Sequence, residues 1–375
     1  MLKRIISFLT GISVFVTLFS FACFVFADDT NWEFDDNSKT LYINGSGPMN
    51  NYADQYSTPW NKYMLSIQNV VVGDGITSIG DYAFSGAANL KSVSLSDTVN
   101  AVGINSFAMC SSLTSMTFSD KITSIADSSF AYNGIAPKND FCMKSLPGSY
   151  ALYYAVKNNI SFQCESVSCG VNKAKINPKG MRSYYPYTAK VNGKFKFYST
   201  GSNDTVGELL DSNFKRLSYN DDSSSGNTNF SISYELKKGE TYYISTYILN
   251  PSLVGTFDLV IESVSYSVKA TITAMKDRAG TPSDILLSGA LIDGKTVDST
   301  FYYNVTNENQ MVNVKYENVE KTYIFSPDNG DEIYITLMMC DMNHDRVVNL
   351  KDYQYMLSSK SQYLDLFPNF VNYKY

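Results

Sequence analysis

Apolar positions in the N-terminal half recur at a fixed offset of 23 residues: Ala83-Phe84, Ser106-Phe107 and Ser129-Phe130 share one phase, and Ile79, Val102 and Ile125 another. Leu90 with Leu113, Val93 with Met116 and Leu95 with Phe118 keep the same offset. A period this short, with apolar residues locked to fixed phases, predicts stacked supersecondary units, a solenoid. Within one unit the Leu90-x-x-Val93-x-Leu95 segment alternates as a strand does, so every second side chain faces inward. A single unit cannot bury that face alone. The flanks supply caps: short strands carrying Trp32 and Trp60 before the repeats, and a helix over GSYALYYAVKNN from Gly148 after them.

The pattern changes after residue 164. Residues 165–263 alternate in short runs, KFKFYST from Lys194, FSISYEL from Phe230, TYYISTYI from Thr241 and GTFDLVIE from Gly255, separated by turn clusters. This spacing predicts an antiparallel sandwich. Residues 264–339 read as further strands, with Asp293-Gly294 as a hairpin signal. The fold class expected is mainly β and multidomain: a short solenoid, two β-sandwich modules and a small α C-terminus at 340–375.

Three resemblances rest on these residues. The text G-x-I-T-S-I-G-x-x-A-F, then N-L-x-x-V-x-L, with the N-terminal W-x-F and L-Y-I-N-G-S-G-P-M and the terminal G-S-Y-A helix, resembles the BspA-like leucine-rich repeat family over residues 28–164. That resemblance implies a surface protein that adheres to a host or microbial surface protein or glycan. Residues 165–263 are similar to the pre-peptidase C-terminal module, an accessory domain, through N-D-T, N-D-D and K-G-x-T-Y-Y-I. The module at 264–339 resembles a small transthyretin-like sandwich, with a spacer role.

Chemistry concentrates in CDMNHDRVVNLKDYQYML. Asp341, Asn343 and Asp345 place oxygens at loop positions one, three and five, Val347 offers its carbonyl at seven, and Asn349 and Asp352 stand at nine and twelve. Alternate oxygens in this spacing wrap a calcium ion. The segment resembles the first calcium repeat of a type I dockerin, which implies calcium as cofactor, a cohesin-type scaffold module as partner, and Leu350 and Lys351 as contact positions. Arg346 stands where the family has Gly, and Leu364, Leu366 and Pro368 occupy the oxygen positions of the second repeat. One calcium ion is therefore expected.

Composition narrows the function further. Lys3 and Arg4, an apolar run from Ile5 to Phe26 and Val25-Phe26-Ala27 predict a signal peptide over 1–27 and a secreted protein, and the resemblances imply that it is cell-surface or cellulosome associated. Lys+Arg then falls from 30 to 28 against 36 Asp+Glu, a net charge near −8 that disfavours nucleic acid. No later stretch is long and apolar enough for a transmembrane helix. Cys110, Cys142, Cys164, Cys169 and Cys340 are odd in number and irregularly spaced, which argues against a disulfide framework.

Asp204, Asp211, Asp221 and Asp222 fall at turn positions, where carboxylates either stabilise tight turns or converge on a hard cation; the turn role is the expected one. Tyr242, Tyr243 and Tyr247 form either a sugar-stacking cluster or cross-strand core pairs. The single histidine, His344, excludes Ser-His-Asp and Cys-His constellations elsewhere, and no catalytic residue is assigned. The expected function is non-catalytic binding or adhesion through the repeats, tethered by the C-terminal loop. The alternatives are an accessory component of a cellulosome-like polysaccharide-degrading complex and, third, an unrecognised glycoside hydrolase.

Overall fold

A computed structural model describes residues 30–131, 140–177, 181–249, 255–275, 282–306, 310–317, 319–337, 339, 347–348 and 373–374. The chain divides into two compact units, Met1–Cys164 and Glu165–Tyr375.

In the first unit the strands are β1 (Asn31–Asp35), β2 (Thr40–Asn44), β3 (Gly47–Pro48), β4 (Asn69–Val72), β5 (Ile76–Ile79), β6 (Ser92–Leu95), β7 (Ala101–Val102), β8 (Ser115–Thr117), β9 (Ser124–Ile125), β10 (Cys142–Ser145) and β11 (Ser161–Cys164). Helix α1 (Tyr150–Lys157) lies between the last two, with Ser149 Oγ accepting from Leu152 N at its start. Three ladders form: β1-β2-β4-β6, β3-β5-β7-β9 and β11-β10-β8. All pairings are parallel apart from the β1–β2 hairpin.

The 23-residue offset is the register of these ladders, for Val70 pairs Val93, Ile79 pairs Val102 and Val102 pairs Ile125. Ala83, Ser106 and Ser129 have no exposed surface, which explains why only small residues hold that phase. Beside them the rings stack in file: Trp60 on Phe84 at 5.8 Å, Phe84 on Phe107 at 5.3 Å, Phe107 on Phe130 at 5.6 Å and Phe130 on Phe141 at 4.9 Å. Trp60 thus continues the repeat stack rather than standing apart from it. Its Nε1 donates to Ala83 O at 2.9 Å, satisfying the one polar atom the indole buries.

The second unit holds β12 (Gly170–Ile176), β13 (Ser183–Thr188), β14 (Gly193–Thr200), β15 (Thr205–Leu210), β16 (Arg216–Asn220), β17 (Ser231–Leu236), β18 (Thr241–Ile248), β19 (Gly255–Met275), β20 (Pro282–Leu286), β21 (Ala290–Ile292), β22 (Lys295–Val297), β23 (Thr300–Val305), β24 (Gln310–Tyr316), β25 (Val319–Phe325), β26 (Glu332–Leu337), β27 (Val347–Val348) and β28 (Tyr373–Lys374). One seven-stranded sheet runs β12-β19-β14-β17, with β20, β23 and β26 also paired to β19. A second sheet runs β13-β18-β15-β16 and a third β22-β21-β24-β25. The buried residues of these three sheets make one core, from Ala174 and Phe195 to Ile335 and Met339.

β19 spans 21 residues and passes straight through positions 263–264, where the sequence pattern changes. Phe257, Leu259 and Ile261 face the core at odd positions, whereas Tyr266, Val268, Ala270 and Ile272 face it at even ones. A bulge makes the switch: Phe195 pairs Ser263 while Lys194 pairs Ser265, leaving Val264 unpaired in this ladder and 39% exposed. The change of phase is thus a bulge inside a continuing strand. The Asp293-Gly294 turn joins β21 to β22 with φ of 47° and 82°, the two positive angles that a two-residue hairpin of this kind needs.

Candidate functional site

Three places bear on function. The first is the outer face of the parallel ladder in the first unit. Leu41, Ile43, Val70 and Val72 point inward, so Tyr42, Asn69, Val71, Ser92 and Ser94 point out by strand alternation. Polar rungs tie successive repeats: Ser92 Oγ donates to Asn69 Oδ1 at 2.7 Å and Lys91 Nζ to Gln68 Oε1 at 3.0 Å. The parallel pairing of β8 with β10 adds Ser115, Thr117 and Lys144 to positions of the same kind. This face offers ordered donors and acceptors on rigid strands, an arrangement that suits recognition.

The second is the end of the β15–β16 hairpin, where Gly207 pairs Asn220 and the flanking turns meet. Asp204, Asp221 and Asp222 converge there, with carboxylate oxygens all within 4.8 Å of one another. Asp204 Oδ1 and Asp221 Oδ1 are closed to solvent and accept no hydrogen bond in the structure. Burial raises the Asp221 pKa, and the charges of Asp222 and Asp204 raise it further. Three oxygen donors so placed are the donor chemistry of a hard cation. Asp211 does not join them: its Oδ1 accepts from Asn213 N and Lys215 N, both at 2.9 Å, holding the turn before β16.

The three tyrosines of β18 separate by strand parity. Tyr242 faces the core, where its Oη accepts from Lys237 N at 3.1 Å. Tyr243 lies beneath Phe214, with ring centroids 4.4 Å apart, and Tyr247 lies beneath the Arg182 guanidinium at 4.8 Å. Arg182 and Arg216 both pair with Glu208, a carboxylate whose side chain is only 7% exposed. These tyrosines therefore share no open stacking surface.

The third place is the C-terminal loop. Asp341, Asn343, Asp345, Asn349 and Asp352, with the expected contact positions Leu350 and Lys351 and the histidine His344, lie outside the described residues, as do residues 1–27. Val347 is described through its backbone, which pairs antiparallel with Lys374 while Val348 pairs with Tyr373. Cys110 is buried, Cys142, Cys164 and Cys169 are half-buried, and Cys340 falls outside the described residues. A small apolar cavity, lined by Phe107, Cys110, Leu113, Phe130 and Phe141 among others, contains no carboxylate. Among the described residues no helix is long and apolar enough to cross a membrane.

Parallel ladders locked at a repeat offset, with a file of rings inside, define a leucine-rich repeat solenoid. The BspA type leucine-rich repeat region matches residues 61–164 in six copies, so this part of the chain is a repeat region of that type. No curated protein matches the chain. Among solved structures, a leucine-rich repeat protein from Eubacterium ventriosum is similar at 21% identity and a TM-score of 0.28, over 38% of this chain and 39% of that one. The chain thus spans about two-fifths of that protein's length. The pre-peptidase C-terminal domain of collagenase from Bacillus anthracis is similar at 14% identity and a TM-score of 0.22, over 26% of this chain and 94% of that one. A T. pallidum leucine-rich repeat protein is similar at 13% identity and a TM-score of 0.19, over 32% of this chain and 69% of that one.

Proposed function

We propose that the chain is a secreted, non-catalytic adhesion protein whose repeat region recognises a surface protein or glycan, held to a scaffold through its C-terminal loop. The observation that carries this reading is the outer face of the repeat ladder. Polar side chains on it are bonded from one repeat to the next, as in the Asn69–Ser92 rung at 2.7 Å, so a partner meets a surface that needs little ordering on contact. The β-rich unit after residue 164, with its single core and the continuous strand β19, serves as a spacer. Calcium held by Asp341, Asn343, Asp345, the Val347 carbonyl, Asn349 and Asp352 supplies the anchor's fold, and a cohesin-type module is its partner. The backbone pairing of Val347–Val348 with Tyr373–Lys374 supports this reading, because it ties the middle of the loop to the last residues.

The test is adhesion of the whole protein to microbial and epithelial cells, with Ser92→Arg and Ser94→Arg placed on the outer face. Both positions are exposed, so melting temperature is expected to hold while adhesion falls. Adhesion that survives both substitutions would remove the repeat face from the function. A second reading, an accessory component of a polysaccharide-degrading complex, is favoured by the same loop spacing, and retention of the whole protein on an immobilised cohesin in calcium separates the two.

A further inference from the structure

Two tyrosines stand out on the seven-stranded sheet for a reason opposite to that of Tyr243 and Tyr247. Tyr302 is 75% exposed and Tyr334 is 62% exposed. Strand parity puts them on one face. In β19, Val268, Ala270 and Ile272 are core residues, so Lys269 and Thr271 point the other way; in β23 the partly buried Phe301 and Tyr303 flank Tyr302, and in β26 Ile333 and Ile335 flank Tyr334. Registers align them across three adjacent strands. Tyr302 and Glu332 both pair with Lys269, and Thr300 and Tyr334 both pair with Thr271. Strand spacing and rise then set the two tyrosine backbones about 12 Å apart on the diagonal, one on each side of β19.

The surface between them is polar and electrically balanced. Lys269 Nζ meets Glu332 Oε1 at 3.4 Å, and Thr271 Oγ1 lies 3.3 Å from Thr300 Oγ1. Ser267 and Asn304 pair with each other and extend the same face past Tyr302, and both are exposed. No bulge interrupts the β23 or β26 pairing along this stretch, so the face is even. A strongly exposed pair of rings is uncommon on a sheet face, where aromatics are usually spent on packing. Tyrosine also offers a large rigid contact at small entropic cost.

We infer that this face binds a neutral polysaccharide, with Tyr302 and Tyr334 as two stacking positions for sugar rings and the hydroxyl and amide groups between them as hydrogen-bond partners. Charge decides the class. Between the rings the charges of Lys269 and Glu332 neutralise each other, and Asp284 of β20, which alternation with the core-facing Ile285 and Leu287 puts on the same face, opposes a uronate or a sulfated glycan. A neutral chain, apolar on its ring faces and hydroxylated at its edges, complements both components of the face. The site is separate from the outer face of the repeats and stands without that reading.

The experiment is retention of the full chain on insoluble cellulose, xylan, mannan and chitin and in gels of soluble β-glucan and glucomannan, with polygalacturonate as the charged comparator. Retention on at least one neutral polysaccharide is expected, insensitive to salt. The double variant Tyr302→Ala, Tyr334→Ala should weaken it by at least about tenfold, as truncation of anchoring aromatics does. Thr271→Arg leaves both rings in place and sets a long cation between them, so it should also weaken retention. Tyr219→Ala, which removes an exposed ring from another sheet, should leave it unchanged. Failure of every neutral polysaccharide to retain the protein would overturn the inference, and so would equal retention of wild type, double variant and Thr271→Arg.

Discussion

Met109 sits at φ 59°, at the position where the preceding repeat has Gly86 at φ 81°. The left-handed region costs a residue with a β-carbon about 1–2 kcal/mol, part of which glycine returns through its more mobile unfolded chain. Met109 is 48% exposed, so little packing is lost on its removal. Met109→Gly is therefore expected to raise the stability of the first unit by up to about 1 kcal/mol in urea titration. Gly207 is the opposite case, since a β-carbon there would lie 2.2 Å from the Phe230 ring in the core of the second unit. Gly207→Ala should cost about 1–3 kcal/mol through overpacking. Cys110 gives a chemical check on the first core: burial pushes its thiol up to about 12, so the thiolate that alkylation requires is scarce at pH 8. Iodoacetamide should leave Cys110 unmodified in the native protein and modify it in urea, as read by mass spectrometry.

At the scale of elements, the file of rings from Trp60 to Phe141 is the axis of the repeat region. Phe107 sits at its centre, 2% exposed, and touches Phe84 and Phe130 at 5.3 and 5.6 Å. Phe107→Ala should cost about 3–5 kcal/mol, because the flanking rungs hold the cavity open. The central rings were readable in the sequence, since Phe84, Phe107 and Phe130 keep one offset. Trp60 and Phe141 were not, because they enter the stack from segments of different length. A second repeat feature is equally invisible to pattern: Tyr82, Asn105 and Ser128 share positive φ of 57°, 52° and 61°, although their side chains have nothing in common. The backbone, not the residue type, carries that repeat. In β19 the phase switch at Val264 reads as a boundary because alternation records which face is buried and not whether the strand continues. The acidic residues were visible as turn carboxylates, but which of them meet depends on the β15–β16 register, which brings Asp204 to Asp221 and Asp222 and leaves Asp211 at the other end. Adjacent tyrosines such as Tyr302 and Tyr303 cannot be assigned to a face until the strand's pairing is known.

The whole molecule has two compact units with separate hydrophobic cores, one built from Leu41 to Ile160 and one from Ala174 to Met339. Phe107→Ala should then lower one calorimetric transition and Gly207→Ala the other. A single transition moved by both would show that the units melt together. The anchor proposed for the C-terminus makes a further prediction, because calcium binding there is also folding. Titration of the full chain should show one saturable calcium site lost in both Asp341→Ala and Asp345→Ala, since removal of either carboxylate breaks the oxygen shell. Arg346→Gly should tighten that site, because the turn at position six of such a loop favours glycine. The carboxylates of Asp204, Asp221 and Asp222 are a competing destination for the ion, with oxygens within 4.8 Å of one another. Asp221→Asn distinguishes the two: an ion lost in that variant and kept in Asp341→Ala is held at the β15–β16 hairpin and says nothing for the anchor. A chain that takes up no calcium in any form has no dockerin-like tether, and adhesion must then rest on the repeat face and the Tyr302–Tyr334 surface alone.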